Sequence, residues 1–341
     1  MFDSGKVQKS GPRNSQRGPM PAFMGGRRRI AALEIAEHTC GLLVVEAIHR
    51  EEPQVLERLV EPVRTGLIGS DGRFVESAAL DRLWDTLNRL GGRAGFHAVG
   101  ELLALATPSL ALQEDCLYVM SDGLGARLTL LDDVNRARLN APLADDLLDK
   151  TRPPLLMLDL GSESAGLMVL DEIGEIYGAS AWLGRPALLA EAPLFEADGR
   201  AAHAQLAVRT RALIQSIVAS AMRRRAGQFL MVTSLASTIR RLSWQLGRLR
   251  RGTLEPDEIA CDTLGYLEEE LLAMSPGQRT ALTDGKQAAE ETLRAILVAR
   301  TVLGLTGMQT AFLRAPSALD GFMGNYLRMP IAPIPLSYMV E

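Results

Sequence analysis

Pro154-Leu-Leu-Met-Leu-Asp159-Leu-Gly161-Ser162-Glu163-Ser164-Ala165-Gly166-Leu-Met-Val-Leu-Asp171 is the stretch from which the fold can be read. An apolar run reaches Asp159, a Gly/Ser turn follows, and a second apolar run returns. Short apolar runs joined by turn residues predict a β-hairpin. A strand that ends on an acid before such a turn can also open a phosphate or metal site. The carboxylate holds the cation or a water, and turn N–H groups face the anion.

The pattern occurs twice. Upstream, Arg29-Ile-Ala-Ala-Leu-Glu34-Ile-Ala-Glu37-His38-Thr39-Cys40-Gly41-Leu-Leu-Val-Val-Glu46 runs from apolar residues to Glu34, through a polar turn, and back. After each hairpin come a third strand and then strands alternating with helices. The first half reads as a strand over Val55–Val63, a helix from Ser77 closed by Gly91-Gly92, a strand near Glu101–Ala106, a strand over Cys116–Met120 and a helix over Ala126–Leu139. The second half reads as a third strand within Ile173–Leu183, a helix over Val208–Arg224, a strand at Phe229–Thr233, helices over Leu235–Leu249, Leu264–Met274 and Glu290–Leu305, and a strand at Thr310–Leu313. Two halves with one order of elements imply an α/β duplication with a cleft between the lobes. The expected division is a tail over 1–29, a first lobe over 30–135 and a second over 136–341.

Bulk properties narrow the function. The chain has 341 residues and a net charge of −4, which argues against a dedicated nucleic-acid binder. Residues 1–29 carry seven basic side chains against Asp3, with no interleaved aromatic residues to stack bases. The favoured reading is a solvated tail, with contact to nucleic acid or another polyanion the lesser one. Cys40, Cys116 and Cys261 are far apart and odd in number, so neither a disulfide framework nor a zinc site is indicated. They read as buried thiols in a reducing cytoplasm, the expected location. No apolar run approaches the length of a membrane span. His38, His49, His97 and His203 are scattered, without metal-ligand spacing.

Several connecting segments resemble the Ppx/GppA family, the exopolyphosphatases and guanosine pentaphosphate phosphohydrolases of the actin-like ATPase (ribonuclease H-like) superfamily. Leu59-Val-Glu-Pro-Val-Arg-Thr-Gly66 looks like its K-E-P-V-R-L-G segment, and Asp71-Gly-Arg-Phe74 like its D-x-G-R-L loop. Ala126-Arg-Leu-Thr-Leu-Leu131 is similar to E-A-R-L-x-Y-L, and Tyr266 to Pro276 is similar to a late family helix and turn. The resemblance spans about Arg29 to Phe322. It implies two duplicated ribonuclease H-like lobes, an interlobe cleft that binds phosphate chains, and Mg²⁺-assisted cleavage of a terminal phosphoanhydride. Family members often dimerise, so a homodimer is expected by analogy.

The motifs that carry this chemistry are altered. The family's first turn, D-x-G-S-N-S followed by Arg, is here Glu34-Ile-Ala36-Glu37-His38-Thr39, with Gly41 in the arginine position. Its A-T-S-A-x-R strand end has become Ala106-Thr-Pro108-Ser-Leu-Ala111, without the basic residue. S-G-x-E-E-A-R, source of the general base, has become Ser121-Asp122-Gly-Leu124-Gly125-Ala-Arg127. In the D-I-G-G-G-S-T-E hairpin, Asp159, Gly161 and Ser164 match while Gly166 replaces the closing Glu. Of the G-T-G-G-T loop only Thr233 remains, and the terminal S-D-G-G-L-R-E-G signature is reduced to Ala315–Gly321.

Each lost base or donor costs orders of magnitude in rate. Loss of several together favours a protein that has lost phosphatase activity and serves as a ligand-binding, regulatory or scaffold protein with no cofactor. Gly161, Ser164, Thr233 and Thr39 are then the candidates for contact with a phosphate-containing ligand in the cleft. The alternative is a divergent exopolyphosphatase or guanosine pentaphosphate phosphohydrolase. There Asp159 and Glu34 bind Mg²⁺ and Asp122 activates water. A cluster of Glu34, Glu37, Asp159 and Glu163 around a cation is a variant of that alternative, set against the plainer reading of Glu37 and Glu163 as solvated turn residues.

Overall fold

The structure, a computed structural model, describes residues 27–36, 39–48, 52–63, 77–106, 126–148, 152–161, 165–181, 199–246, 257–283, 285–316 and 318–328. The expected strand at 116–120, and with it Asp122, lies outside these residues. So do Glu37, His38, Glu163 and Ser164.

The first hairpin forms as β1 (Arg28–Ile35) and β2 (Thr39–Ala47), continued antiparallel by β3 (Gln54–Pro62). β4 (Glu101–Ala106) and β5 (Arg127–Leu130) add in parallel, so the sheet order is β3-β2-β1-β4-β5. The second hairpin forms as β6 (Leu155–Leu160) and β7 (Ala165–Leu170), continued by β8 (Glu175–Ala181). β9 (Gln228–Val232) and β11 (Thr310–Arg314) add in parallel, with β10 (Glu258–Ala260) antiparallel at the edge. The second order, β8-β7-β6-β9-β11-β10, repeats the first and adds one strand. The duplicated α/β architecture expected from the two hairpins is therefore present.

Two expectations are corrected. The first helix, α1 (Ser77–Phe96), runs through Gly91-Gly92 instead of ending there. Leu83, Leu87, Leu90 and Ala94 keep one apolar stripe buried across the pair, and that burial outweighs the propensity cost of two glycines. The helix expected over Ala126–Leu139 is strand β5 followed by a short helix, α2 (Asp133–Asn140). Register with β4 captures Arg127–Leu130, and Asp132 then caps α2, its side chain accepting from the Asn135 N–H at 2.6 Å.

Six further helices complete the described part: α3 (Gly199–Met222), α4 (Ala236–Gln245), α5 (Cys261–Ala273), α6 (Pro276–Thr283), α7 (Lys286–Thr306) and α8 (Ala318–Arg328). α1 covers one face of the first sheet, packing on Leu33, Leu42 and Val44. α8 reaches back from the end of the chain to cover the other, on Ile30, Ala32 and Leu43. On the second sheet α3, α4, α5 and α7 cover the face of Leu156 and Leu158. α2 and the 3₁₀ turn Ala141–Ala144 cover the face of Leu155 and Met157. α2 and α8 also pack on each other, Gly321 lying against the Leu139 backbone. These two helices thus occupy the space between the sheets.

Candidate functional site

Strand alternation sets the direction of the two hairpin acids. On β6, Leu155, Met157 and Asp159 share a face, so Asp159 points toward α2. On β1, Ile30, Ala32 and Glu34 share a face, so Glu34 points toward α8. Because α2 and α8 pack together, the two acids meet from opposite lobes. Asp159 is 3% exposed, and a lone buried carboxylate costs several kcal/mol, roughly the penalty for an unpaired interior ion.

The partner comes from α2. Arg136 Nε donates to Asp159 Oδ2 at 2.8 Å, and its Nη2 donates to the Asp159 carbonyl at 3.2 Å. Asn140, one turn further along the same helix face, donates Nδ2 to the same carboxylate oxygen at 3.2 Å. Pairing the buried acid is worth more than the roughly 2 kcal/mol of rotamer entropy that an ordered long side chain loses, so the guanidinium stays.

Two glycines make this seat. A Cβ on Gly161 would lie 2.9 Å from Arg136 Cζ, inside van der Waals contact. A Cβ on Gly166, the partner of Asp159 across the hairpin, would lie 2.8 Å from Ala137 Cβ and hold α2 off the sheet. The Gly161 carbonyl also accepts from Arg294 Nη2 at 3.0 Å, which ties the turn to α7. In the first lobe, Gly41 pairs with Glu34, and Leu319 of α8 fills the space beside it, its Cδ1 3.0 Å from where a Cβ would stand.

Electrostatics follow from this packing. Burial raises the pKa of Glu34; Arg136 opposes the rise and the charge on Asp159 adds to it. For Arg136, burial acts downward, but the Coulombic attraction and hydrogen bond of Asp159, with Asp133 and Glu34, outweigh it and hold the guanidinium ionised. The Cys40 thiol, buried and facing the charges of Glu34 and Glu61, is pushed up to about 12.

Of the residues singled out in the sequence, Glu34, Asp159 and Gly161 are brought together. Thr233 follows β9, whose Val232 pairs with Asp159, and so lies at the same sheet edge. It is 2% exposed; its N–H donates to the Arg314 carbonyl at 2.9 Å, and its hydroxyl accepts from Leu235 N at 3.3 Å, shaping the turn into α4. Thr39 is exposed at the start of β2, its carbonyl closing the hairpin with Ala36 N at 2.9 Å. The sequence reading missed Arg136, Asn140, Arg294 and Leu319. The available signal was an Arg and an Asn four residues apart behind an aspartate cap.

A divalent cation does not fit the described residues. The Asp159 oxygen it would need already receives two N–H donors, and a guanidinium lies beside it. Among the described residues no group of three or more His, Cys, Asp or Glu is arranged to hold a metal ion. Nor is any described helix long and apolar enough to cross a membrane.

Neither a protein-family model nor a curated protein sequence matches the chain. Solved structures do. An exopolyphosphatase from Cytophaga hutchinsonii superimposes with a TM-score of 0.74 at 18% identity, over 88% of this chain and 98% of that one. The Aquifex aeolicus Ppx/GppA family member gives 0.70 at 12% identity, over 90% and 100%. An exopolyphosphatase-like protein gives 0.71 at 15%, over 88% and 98%. The fold is that of the Ppx/GppA structures, a two-lobed actin-like ATPase fold. At these identities the likeness concerns the fold alone.

Proposed function

We propose that this chain is a non-hydrolysing protein of the Ppx/GppA fold that works as a regulatory or scaffold protein. The reading rests on one observation: the space between the two hairpin acids is taken by Arg136 of the same chain, bound to Asp159 at 2.8 Å. A phosphate chain entering there would meet two carboxylates and a guanidinium already committed to them. Leu319, seated against Gly41, takes up room that a longer polar side chain would need to reach a phosphate. The altered turn and base motifs agree with this reading.

The second reading, a divergent phosphohydrolase, draws on the same convergence of Glu34 and Asp159. It requires Arg136 to leave Asp159 and a base to come from elsewhere, with Asp122 the candidate. Calorimetric titration of the purified chain with guanosine pentaphosphate and with polyphosphate, each in the presence of Mg²⁺, separates the two. No saturable binding is expected. Binding that is lost in Asp159→Ala would overturn the proposal.

A further inference from the structure

We infer that the Arg136 guanidinium is a built-in substitute for a divalent cation, holding the strand ends of the two lobes together without any ligand, and that it covers a latent cation site made by Glu34 and Asp159. The inference deepens the reading of a filled cleft and rests on it.

Four features place the guanidinium as a fitted part and not a chance contact. It is oriented on Asp159 by two donor contacts, Nε to the carboxylate and Nη2 to the main-chain carbonyl. Gly161 leaves room for its plane, and Gly166 lets α2 descend far enough to deliver it. Asn140 satisfies the same carboxylate oxygen, so little of that oxygen is left for water. Its side chain is 11% exposed, a burial that charged side chains reach only when paired.

The charge balance is telling. Two acids approach from two sheets, as they would around a divalent ion, but the guanidinium supplies only one positive charge. One acid is therefore under-compensated, and Glu34 is the one whose charged form is disfavoured by its surroundings. Removing the guanidinium leaves two carboxylates facing each other from different lobes. That arrangement attracts a hard cation with oxygen preference, Mg²⁺ or Mn²⁺.

The test uses the full chain, with melting temperature and Mn²⁺ binding by electron paramagnetic resonance as readouts. Wild type is expected to bind no Mn²⁺ at the cleft and to melt at the same temperature with and without millimolar Mg²⁺. Arg136→Ala is expected to melt lower, to bind Mn²⁺, and to regain roughly 2 °C or more on addition of the cation. Asp159→Asn in that background should abolish the response. If Arg136→Ala does not fold, Arg136→Gln keeps a donor near Asp159 and must show the same Mn²⁺ binding. A wild-type chain stabilised by Mg²⁺, or folded Arg136 variants indifferent to both cations, would overturn the inference. Turnover of phosphate substrates is measured separately, so a failure of the non-hydrolysing reading is distinguishable from a failure of this one.

Discussion

Arg136 on α2 and Asp159 at the end of β6 form a buried ion pair, Nε to Oδ2 at 2.8 Å, at the point where the two lobes meet. The pair lies at the turn where an interlobe ligand would be held. The predictions that follow concern this pair and the packing that permits it.

Arg136→Met keeps the length of the side chain and removes its charge. Asp159 is then left buried with Asn140 as its remaining described donor. Breaking one side of a buried pair costs about 3–5 kcal/mol. Urea unfolding should show a loss of that size in Arg136→Met, and a smaller loss when Asp159→Asn is combined with it. Equal losses in the single and double variants would show that the pair is not coupled.

Gly166→Ala and Gly92→Ala should move stability in opposite directions. The first puts a methyl group 2.8 Å from Ala137 Cβ and 2.9 Å from the Asp133 carbonyl carbon, an overpacking that costs about 1–3 kcal/mol. The second fills open space on an exposed turn of α1 and should gain about 0.5–1 kcal/mol from the reduced freedom of the unfolded chain. Thermal unfolding of the two variants beside wild type checks both signs.

Much of the architecture could be read from the hairpins, because acid, turn and apolar return recur at 34–45 and 159–170 and the alternation leaves each strand one register. The helix over 126–139 was misread because Arg127–Leu130 suits either state, and only pairing with β4 decides it. The two acids of the site were legible for the same reason as the hairpins. Arg136 was not, since an arginine on a short polar helix ordinarily faces water. Its burial depends on Gly166 and Gly161 across the packed layer, a relation that local sequence does not carry.

Glu34→Gln should stabilise the fold, and increasingly so as pH rises. The native carboxyl titrates above its ordinary value of 4.5 because burial disfavours the charge. Below 4.5 both states are protonated and the substitution changes little. Above it the unfolded chain ionises freely while the folded one resists, so wild type loses stability until the native carboxyl has also ionised. Unfolding free energies of wild type and variant from acidic to mildly alkaline pH should diverge in this direction. Curves that stay parallel would contradict the burial.

The Cys40 thiol, pushed up to about 12 by burial and by Glu34 and Glu61, should be inert in the native protein. Iodoacetamide at mildly alkaline pH should leave the Cys40 peptide unmodified by mass spectrometry, and should alkylate it after denaturation. Native labelling of that peptide would show that the first hairpin opens to solvent.

The central claim is that a cleft shaped like that of a phosphohydrolase is closed by its own arginine. It is tested most directly by phosphate release from polyphosphate and guanosine pentaphosphate, using the purified full-length chain with Mg²⁺ or Mn²⁺. The account predicts release no faster than the protein-free blank and identical in wild type and Asp159→Ala. Metal-dependent release by wild type that disappears in Asp159→Ala would contradict it.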